Sequence, residues 1–170
     1  MKTLYLLRHA KSSWDDPGLP DHERPLAPRG RRAAKKLAAY IHGTALAPEL
    51  VLCSSSARTR ETLESLRDAL GDPEIRFPPE LYAAWDDELL EVVRQVGSDV
   101  DSLLVVGHNP GLQRLALLLA GSGDDRLRER LAEKLPTGAL VTLTFPVTSW
   151  ADVRPGSGDL GDYVIPRDLR

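Results

Sequence analysis

The chain has 170 residues, a formal net charge of -3 at neutral pH and a single cysteine, Cys53. This length predicts one domain spanning residues 1–170, the lone cysteine excludes a disulfide framework or a cysteine-rich metal site, and the interspersed charges give no reason to expect nucleic-acid binding. No stretch approaches the roughly 20 apolar residues of a membrane span, and the N-terminus lacks a signal-peptide pattern, so we expect a cytoplasmic protein without a membrane partner.

The first predicted element is a buried strand that ends at two basic side chains. The apolar run of residues 3–7 is typical of a strand in a parallel sheet, and Arg8 and His9 follow it. Ligands of open α/β sheets bind just beyond the carboxyl ends of such strands. A guanidinium suits phosphate oxygens and an imidazole offers a nucleophilic nitrogen, so the pair indicates phosphoryl chemistry. Taken alone, however, the pair is better explained as an ordinary basic loop.

Residues 11–27 contain several prolines and glycines, which predict a loop over the same crevice. Lys11 and Arg24 in this loop are candidates for binding the phosphate group of a substrate, whereas most of its other charges are expected to be solvated. Pro28 suits the first position of a helix that ends before Gly43.

A second strand and a second helix follow the same order. Residues 50–53 predict a short strand, and a helix fits residues 56–70 with Gly71 closing it. Arg58 therefore lies close to a helix N-terminus, where free N–H groups and the helix dipole favour an anion. We interpret Arg58 as a second phosphate-binding residue.

The second half of the chain repeats the pattern of an apolar run that ends at a histidine. The predicted strand 102–107 is followed by His108, and a helix begins near Pro110, which places His108 in a strand-to-helix turn.

The other predicted elements are a short strand at 75–77, helices at 86–96 and 126–135, and a strand at 139–145. For residues 147–170 the sequence allows edge strands at 150–154 and 163–166, or an ordered tail.

Arg8, His9, Arg58 and His108 thus come from three strand ends, which is how an α/β sheet assembles one site. The motifs that carry them resemble, in order, those of the histidine phosphatase superfamily, the phosphoglycerate-mutase-like proteins. They are Leu7-Arg8-His9-Ala10, Arg24-Pro25-Leu26-Ala27-Pro28-Arg29-Gly30, the segment 54–62 and Val106-Gly107-His108-Asn109. The short length, the Arg-His-Ala-Lys start and the Gly-His-Asn-Pro turn look most like the SixA-type phosphohistidine phosphatases.

This resemblance implies a fold, an activity and a set of roles. The fold is a three-layer α/β/α arrangement with a mostly parallel central sheet. The activity is that of a phosphatase acting on a phosphorylated protein or a small phospho-compound, with His9 forming a phosphohistidine intermediate. Arg8, Arg58 and His108 hold the phosphoryl oxygens, so neither a metal nor a cofactor is expected. His9 must be neutral to attack while His108 acts best protonated, so we expect their titrations to be separated.

One departure from the family pattern concerns the leaving group. Larger members place a carboxylate general acid shortly after a Leu, and the nearest alignment, Leu81-Tyr82-Ala83, puts Ala83 at that position. Glu80 and Asp86 are the nearest candidates for a replacement acid. The absence of a positioned acid favours substrates such as phosphohistidine or aryl phosphates, whose leaving groups need little protonation.

The sequence leaves three alternatives to a phosphohistidine phosphatase. A small-molecule phosphomonoesterase of the same superfamily would use the same residues. A non-catalytic phosphoprotein-binding module would need Arg8 and Arg58 but not a nucleophilic His9. A cysteine phosphatase built on Cys53 needs five residues between the Cys and its Arg, yet Arg58 follows four and Arg60 follows six. We interpret Cys53 as a buried residue at a strand end.

Overall fold

A seven-stranded sheet runs through the centre of the computed structural model, which describes residues 1–169. In sheet order, the strands are β3 (Glu74–Arg76), β2 (Leu50–Cys53), β4 (Ser102–Gly107), β1 (Lys2–Arg8), β6 (Leu140–Phe145), β7 (Gly158–Val164) and β5 (Ala120–Gly123). The first four strands are parallel, β6 is antiparallel to both of its neighbours, and β5 is parallel to β7. The predicted α/β class with a mostly parallel sheet is therefore confirmed.

Helices cover both faces of the sheet. They are α1 (Pro28–His42), α2 (Ala57–Leu66), α3 (Asp86–Arg94), α4 (Gly111–Leu119) and α5 (Asp125–Glu133). One core contains side chains of α1 and α2, and the other contains side chains of α3, α4 and α5. Alternate residues of β4 enter the two cores, with Leu104 in the first and Leu103 in the second. Burial on both faces explains why the central strands are continuous apolar runs, and it gives the three-layer α/β/α arrangement.

The longest of these helices, α1, has 15 residues. Within residues 1–169, no helix is both long and apolar enough to cross a membrane.

Most predicted elements lie where the sequence indicated, and the differences are concentrated at chain segments with weak patterns. The helix predicted over 56–70 ends at Leu66, and the strand predicted at 75–77 begins one residue earlier and ends at Arg76. Residues 150–152 form a short 3₁₀ helix instead of an edge strand. Strand β7 lies inside the sheet, and the edge strand beside it is β5, whose sequence Ala-Gly-Ser-Gly carries no apolar alternation.

Strand register brings three chain segments to one level at the carboxyl edge of the parallel strands. Leu7 and Cys53 both pair with Val106, so β1, β2 and β4 end together. Beyond these pairs, the amide of His9 donates to the carbonyl of Gly107 at 3.1 Å, and the amide of Ser54 donates to that of Val106 at 3.0 Å. These pairs and hydrogen bonds therefore fix, relative to one another, the backbone positions from which the loops after β1, β2 and β4 begin.

The backbone of Lys11, shortly after β1, packs so closely on the start of α1 that there is no room for a side chain at Gly30. A Cβ atom at this position would overlap the carbonyl oxygen of Lys11 and lie 2.9 Å from its amide nitrogen. We predict that Gly30→Ala lowers the free energy of unfolding by about 1–3 kcal/mol, although alanine is the better helix former. Urea unfolding followed by circular dichroism measures this change.

Gly43→Ala is the matched control at the other end of α1. Its Cβ would lie 3.5 Å from the nearest atom, the carbonyl oxygen of Tyr40, and the backbone φ of -86° suits any residue. Equal destabilisation by the two substitutions would show that the contact with Lys11 does not matter.

Candidate active site

His9 follows β1 directly and is 6% exposed. Its Nδ1 lies 2.7 Å from the backbone oxygen of Ala10. Because a carbonyl oxygen only accepts hydrogen bonds, Nδ1 carries a proton, and in the neutral ring the lone pair is on Nε2. The amide of Ala10 donates to Oγ1 of Thr62 at 3.0 Å, so α2 holds the turn that orients the ring. His9 is thus arranged as a nucleophile through Nε2.

Arg8, the last residue of β1, is half-buried next to this ring. Its Nη1 donates to the carbonyl oxygen of Leu135 at 3.0 Å, and Nδ2 of Asn109 donates to the same oxygen at 2.9 Å. Its Nε is buried and makes no hydrogen bond with any residue from 1 to 169. One side of the guanidinium is therefore fixed, while a donor remains for an anionic oxygen.

The ring of His108 faces that of His9, with 5.3 Å between the ring centroids. Nε2 of His108 lies 2.7 Å from the hydroxyl oxygen of the buried Ser54, which follows β2. Nδ1 of His108 is buried and has no hydrogen-bond partner among residues 1–169. A serine hydroxyl can donate to Nε2, which leaves the proton of the neutral ring on Nδ1 as a second available donor.

Arg58 lies in the first turn of α2 and is 8% exposed. It donates through Nη1 to the carbonyl oxygen of Asp21 at 2.8 Å and through Nη2 to the carboxylate of Asp21 at 3.0 Å. The hydroxyl of Tyr82 donates to the same carboxylate oxygen at 2.6 Å. The hydrogen bond from Tyr82, followed by the side-chain hydrogen bond and the charge of Arg58, lowers the pKa of Asp21 against the opposing effect of burial. Asp21 is therefore an ionised partner of Arg58 at neutral pH.

The two loop candidates, Arg24 and Lys11, occupy different places. Arg24 is buried, donates through Nη2 to the hydroxyl of Ser12, and lies 3.3 Å above the ring centroid of Trp14. Its positive charge contributes to lowering the pKa of His9, so Arg24 lies in the neighbourhood of this histidine. Lys11 is exposed and lines a groove together with side chains from the start of α1. Their roles in substrate binding stay predictions.

Burial and positive charge act on both histidines in the same direction. Burial, followed by the charges of Arg58 and Arg8, lowers the pKa of His9 to about 4, although the hydrogen bond to Ala10 acts in the opposite direction. Burial followed by the charge of Arg58 lowers the pKa of His108 to about 3. Our expectation that the two titrations are separated, with His108 protonated, is wrong for this structure. Both rings are neutral at pH 7 because they share the same desolvated, cationic surroundings.

Sequence reasoning missed several residues that the fold brings to this cluster. Asp21 is one of the loop charges, most of which are expected to be solvated, yet it binds Arg58. Tyr82 is adjacent in sequence to Ala83, and its ring centroid is 5.7 Å from that of His108. His22 was not among the candidate residues, and its Nε2 lies 2.8 Å from the hydroxyl of Ser55. A Tyr next to the position of the missing acid was the available signal.

The predicted replacement acids, Glu80 and Asp86, are not bonded to the central residues of this cluster. Glu80 is exposed in a 3₁₀ turn, and Asp86 begins α3 with its carboxylate 3.9 Å from Arg114. Within residues 1–169, neither forms a hydrogen bond or ion pair with Arg58 or His108. Asp21 is the carboxylate that contacts this cluster in the described part of the chain.

The surroundings of Cys53 argue against a cysteine phosphatase. This thiol is fully buried, and desolvation raises its pKa to about 12. A thiol with so high a pKa is not a thiolate nucleophile at neutral pH.

The described residues 1–169 also contain no group of three or more His, Cys, Asp or Glu side chains that could hold a metal ion. Metal-independent activity stays a prediction.

Comparisons with known proteins agree with the sequence motifs. The model of the histidine phosphatase superfamily (branch 1) matches residues 4–87. The uncharacterised Mycobacterium tuberculosis protein Rv1276c is 40% identical over 163 residues, covering 95% of this chain and 100% of that protein. Phosphohistidine phosphatase SixA of Escherichia coli is 30% identical over 110 residues, covering 63% of this chain and 67% of SixA.

Solved structures show the same relationship at the level of the fold. The structure of a protein assigned as phosphohistidine phosphatase SixA, from Nakamurella multipartitia, superposes with a TM-score of 0.82 at 31% identity. The superposition covers 97% of this chain and 96% of that one.

The site makes a prediction about the protonation of His9. Because its neutral ring is favoured by burial and by nearby cations, we predict that His9 titrates near pH 4, far below the value of about 6.5 for an unperturbed histidine. Its imidazole signals in a ¹³C- and ¹⁵N-resolved NMR titration report this value directly. A His9 that titrates above pH 6 would contradict the arrangement described here.

Proposed function

The chain belongs to the histidine phosphatase superfamily, and we propose that it is a metal-independent phosphatase that dephosphorylates phosphohistidine in proteins through a phosphorylated His9. The observation that supports this most strongly is the hydrogen bond from Nδ1 of His9 to the carbonyl of Ala10. It leaves Nε2 with a lone pair inside a cluster of cationic and neutral donors, which is what attack on a phosphorus atom requires.

The proposed reaction has two steps at the same nitrogen. Nε2 of His9 attacks the phosphorus atom, a P–N bond forms, and the bond to the leaving group breaks with its electron pair going to the leaving group. A water oxygen then attacks the phosphorus of phospho-His9, and the electron pair of the breaking P–N bond returns to Nε2. A low pKa suits both steps, because His9 is neutral when it attacks and is a better leaving group afterwards.

The donors around His9 are assigned to the oxygens of the phosphoryl group. Nε of Arg8 and Nδ1 of His108 are buried without hydrogen-bond partners among residues 1–169, so binding a phosphoryl oxygen satisfies each of them. Arg58 adds a full positive charge that Asp21 holds in place. A phosphoryl dianion next to His108 favours its protonated form, so the low pKa of the free site rises when substrate binds.

The protonation states of Asp21 and Tyr82 favour a phosphohistidine substrate. The low pKa of Asp21 keeps this carboxylate ionised at neutral pH, so it accepts hydrogen bonds and has no proton to donate as a general acid. The pKa of the neighbouring Tyr82 is raised, which makes its hydroxyl a weaker proton donor. An alkoxide leaves slowly without a proton donor. The imidazole of phosphohistidine leaves as a neutral ring when its other nitrogen carries a proton, so it does not need this assistance.

The nucleophile is tested by exchanging it. We predict that His9→Ala abolishes turnover and that mass spectrometry of acid-free, denaturant-quenched enzyme finds a phosphoryl group on the peptide containing His9. Arg58→Ala removes one charge from the transition state and should lower kcat/KM by about 10² to 10³.

Cys53→Ser is the matched control for the nucleophile. The serine nearly preserves the size of a buried side chain that touches no phosphoryl group in this mechanism, so near-normal turnover is expected. Loss of activity in Cys53→Ser with retention in His9→Ala would restore the cysteine mechanism. Tight binding of a phosphohistidine peptide without any turnover would indicate a binding module.

The substrate class is tested by comparing leaving groups. We predict that kcat/KM for a phosphohistidine peptide and for p-nitrophenyl phosphate exceeds that for an alkyl phosphate by about 10² or more, because general-acid assistance is worth roughly 10² to 10⁴ where it is needed. Measuring all three substrates with one enzyme preparation gives the ratio.

Four substitutions show whether an acid acts in this enzyme. Asp21→Asn and Tyr82→Phe alter groups at the cluster, whereas Glu80→Gln and Asp86→Asn alter the acids predicted from sequence. Suppose that the alkyl phosphate is cleaved as efficiently as the phosphohistidine peptide and p-nitrophenyl phosphate, and that one of these four substitutions abolishes only the cleavage of the alkyl phosphate. The chain would then be a general phosphomonoesterase.

A further inference from the structure

We propose that a basic groove beside the active site binds a carboxylate-rich segment of the protein substrate. This inference rests on the proposed function and names a second requirement for its substrate, an acidic stretch of chain close to the phosphorylated residue. The groove has a volume of about 570 Å³ and lies between the start of α1, the segment that joins α5 to β6, and the end of β7.

The lining of this groove is strongly cationic although the whole chain has a net charge of -3. Seven basic side chains line it, against the single carboxylate of Glu133. Arg130 is paired with Asp168 at 2.8 Å. The other six form no ion pair with any residue from 1 to 169, and all are exposed: Lys11, Arg29, Arg32, Lys36, Lys134 and Arg167. So much unpaired charge of one sign in a concave surface favours an anionic partner.

The groove is joined to the nucleophile through the backbone. Lys11 is two residues from His9, so their Cα atoms are within about 7 Å of each other. On the opposite wall, the segment from Lys134 to Thr137 leads to Gly138, whose amide is 3.0 Å from the carbonyl oxygens of both Arg8 and His9. A chain that places a phosphorylated side chain at His9 therefore brings its neighbouring residues to the groove.

The distribution of the cations favours an extended acidic peptide over other anions. The six unpaired cations come from the loop after β1, from α1, from the segment after α5 and from the residues after β7, so they are spread along the groove. A compact polyphosphate is bound by donors that converge on one point. Single-stranded nucleic acid requires exposed aromatic rings for base stacking, whereas the one aromatic side chain lining the groove, Tyr163, is buried beneath Arg130.

The first test measures binding without catalysis. A fluorescein-labelled peptide of eight glutamates is titrated with the full chain, and anisotropy is followed at low and at physiological salt. We expect saturable binding that weakens with salt, and a loss of about tenfold or more in the double variant Arg32→Glu/Lys36→Glu. The matched control Lys35→Glu/Arg126→Glu makes the same change of charge on α1 and α5 outside the groove and should leave the affinity within about twofold.

The second test connects the groove to turnover. Two phosphohistidine peptides are compared, one flanked by glutamates and one by glutamines, together with p-nitrophenyl phosphate. We expect the wild-type chain to have a kcat/KM about tenfold higher for the glutamate-flanked peptide, mainly through KM. In Arg32→Glu/Lys36→Glu this preference disappears, while hydrolysis of p-nitrophenyl phosphate is unchanged and so shows that the variant is folded and active.

The outcomes separate this inference from the proposed function. Absence of peptide binding, equal weakening in the control variant, or tighter binding of tripolyphosphate or of single-stranded DNA than of the glutamate peptide would each overturn the acidic-segment assignment. A wild-type chain that hydrolyses none of the three phosphorylated substrates refutes the proposed function, whereas the anisotropy experiment still decides whether the groove binds an acidic peptide.

Discussion

The hydrogen bond between Nδ1 of His9 and the carbonyl oxygen of Ala10 is the interaction on which the site depends. It fixes the tautomer and the orientation of the ring together, because only Nδ1–H can donate to that oxygen. The carbonyl is itself held in place, since the amide of Ala10 donates to Oγ1 of Thr62 and this hydroxyl donates to the carbonyl of Arg58 at 2.7 Å. One threonine of α2 thereby joins the turn of His9, the proposed nucleophile, to the backbone of Arg58.

Positive charges crowded around a buried ring repel one another, and nearby groups of the fold reduce this repulsion. Burial and neighbouring guanidinium groups lower the pKa of both His9 and His108, so neither ring adds a further charge to the cluster at neutral pH. The carboxylate of Asp21 lies against Arg58 at 3.0 Å and within 3.4 Å of Arg24, and it compensates part of their charge. The site is therefore preorganised for an anion while the free protein remains stable, because its ring nitrogens stay neutral.

The active site and the basic groove use positive charge in different ways. In the active site Arg58 is buried and Arg8 is half-buried, and hydrogen bonds to Asp21 and Leu135 direct their donors, which suits recognition of one phosphoryl group at a defined position. In the groove the cations are exposed and held by no ion pair to residues 1–169 apart from that of Arg130, which suits attraction of an anionic chain without fixed geometry. The shared wall at the end of β1 places the two regions side by side.

The sequence by itself determined the class of fold and the strand ends at which the candidate site lies, whereas tertiary structure decided which other side chains join that site. Apolar runs buried on both faces carry a strong local signal, so β1, β2 and β4 and the residues that follow them, His9, Arg58 and His108 among them, were predictable. Strand β5 was not, because Ala-Gly-Ser-Gly is a strand only through its pairing with β7. Asp21 and Tyr82 are 61 residues apart, and their contact depends on how a loop and a 3₁₀ turn pack around Arg58. The pKa values of the two histidines followed the same rule: each is set by burial and by arginines from distant segments, and these surroundings exist only in the folded chain.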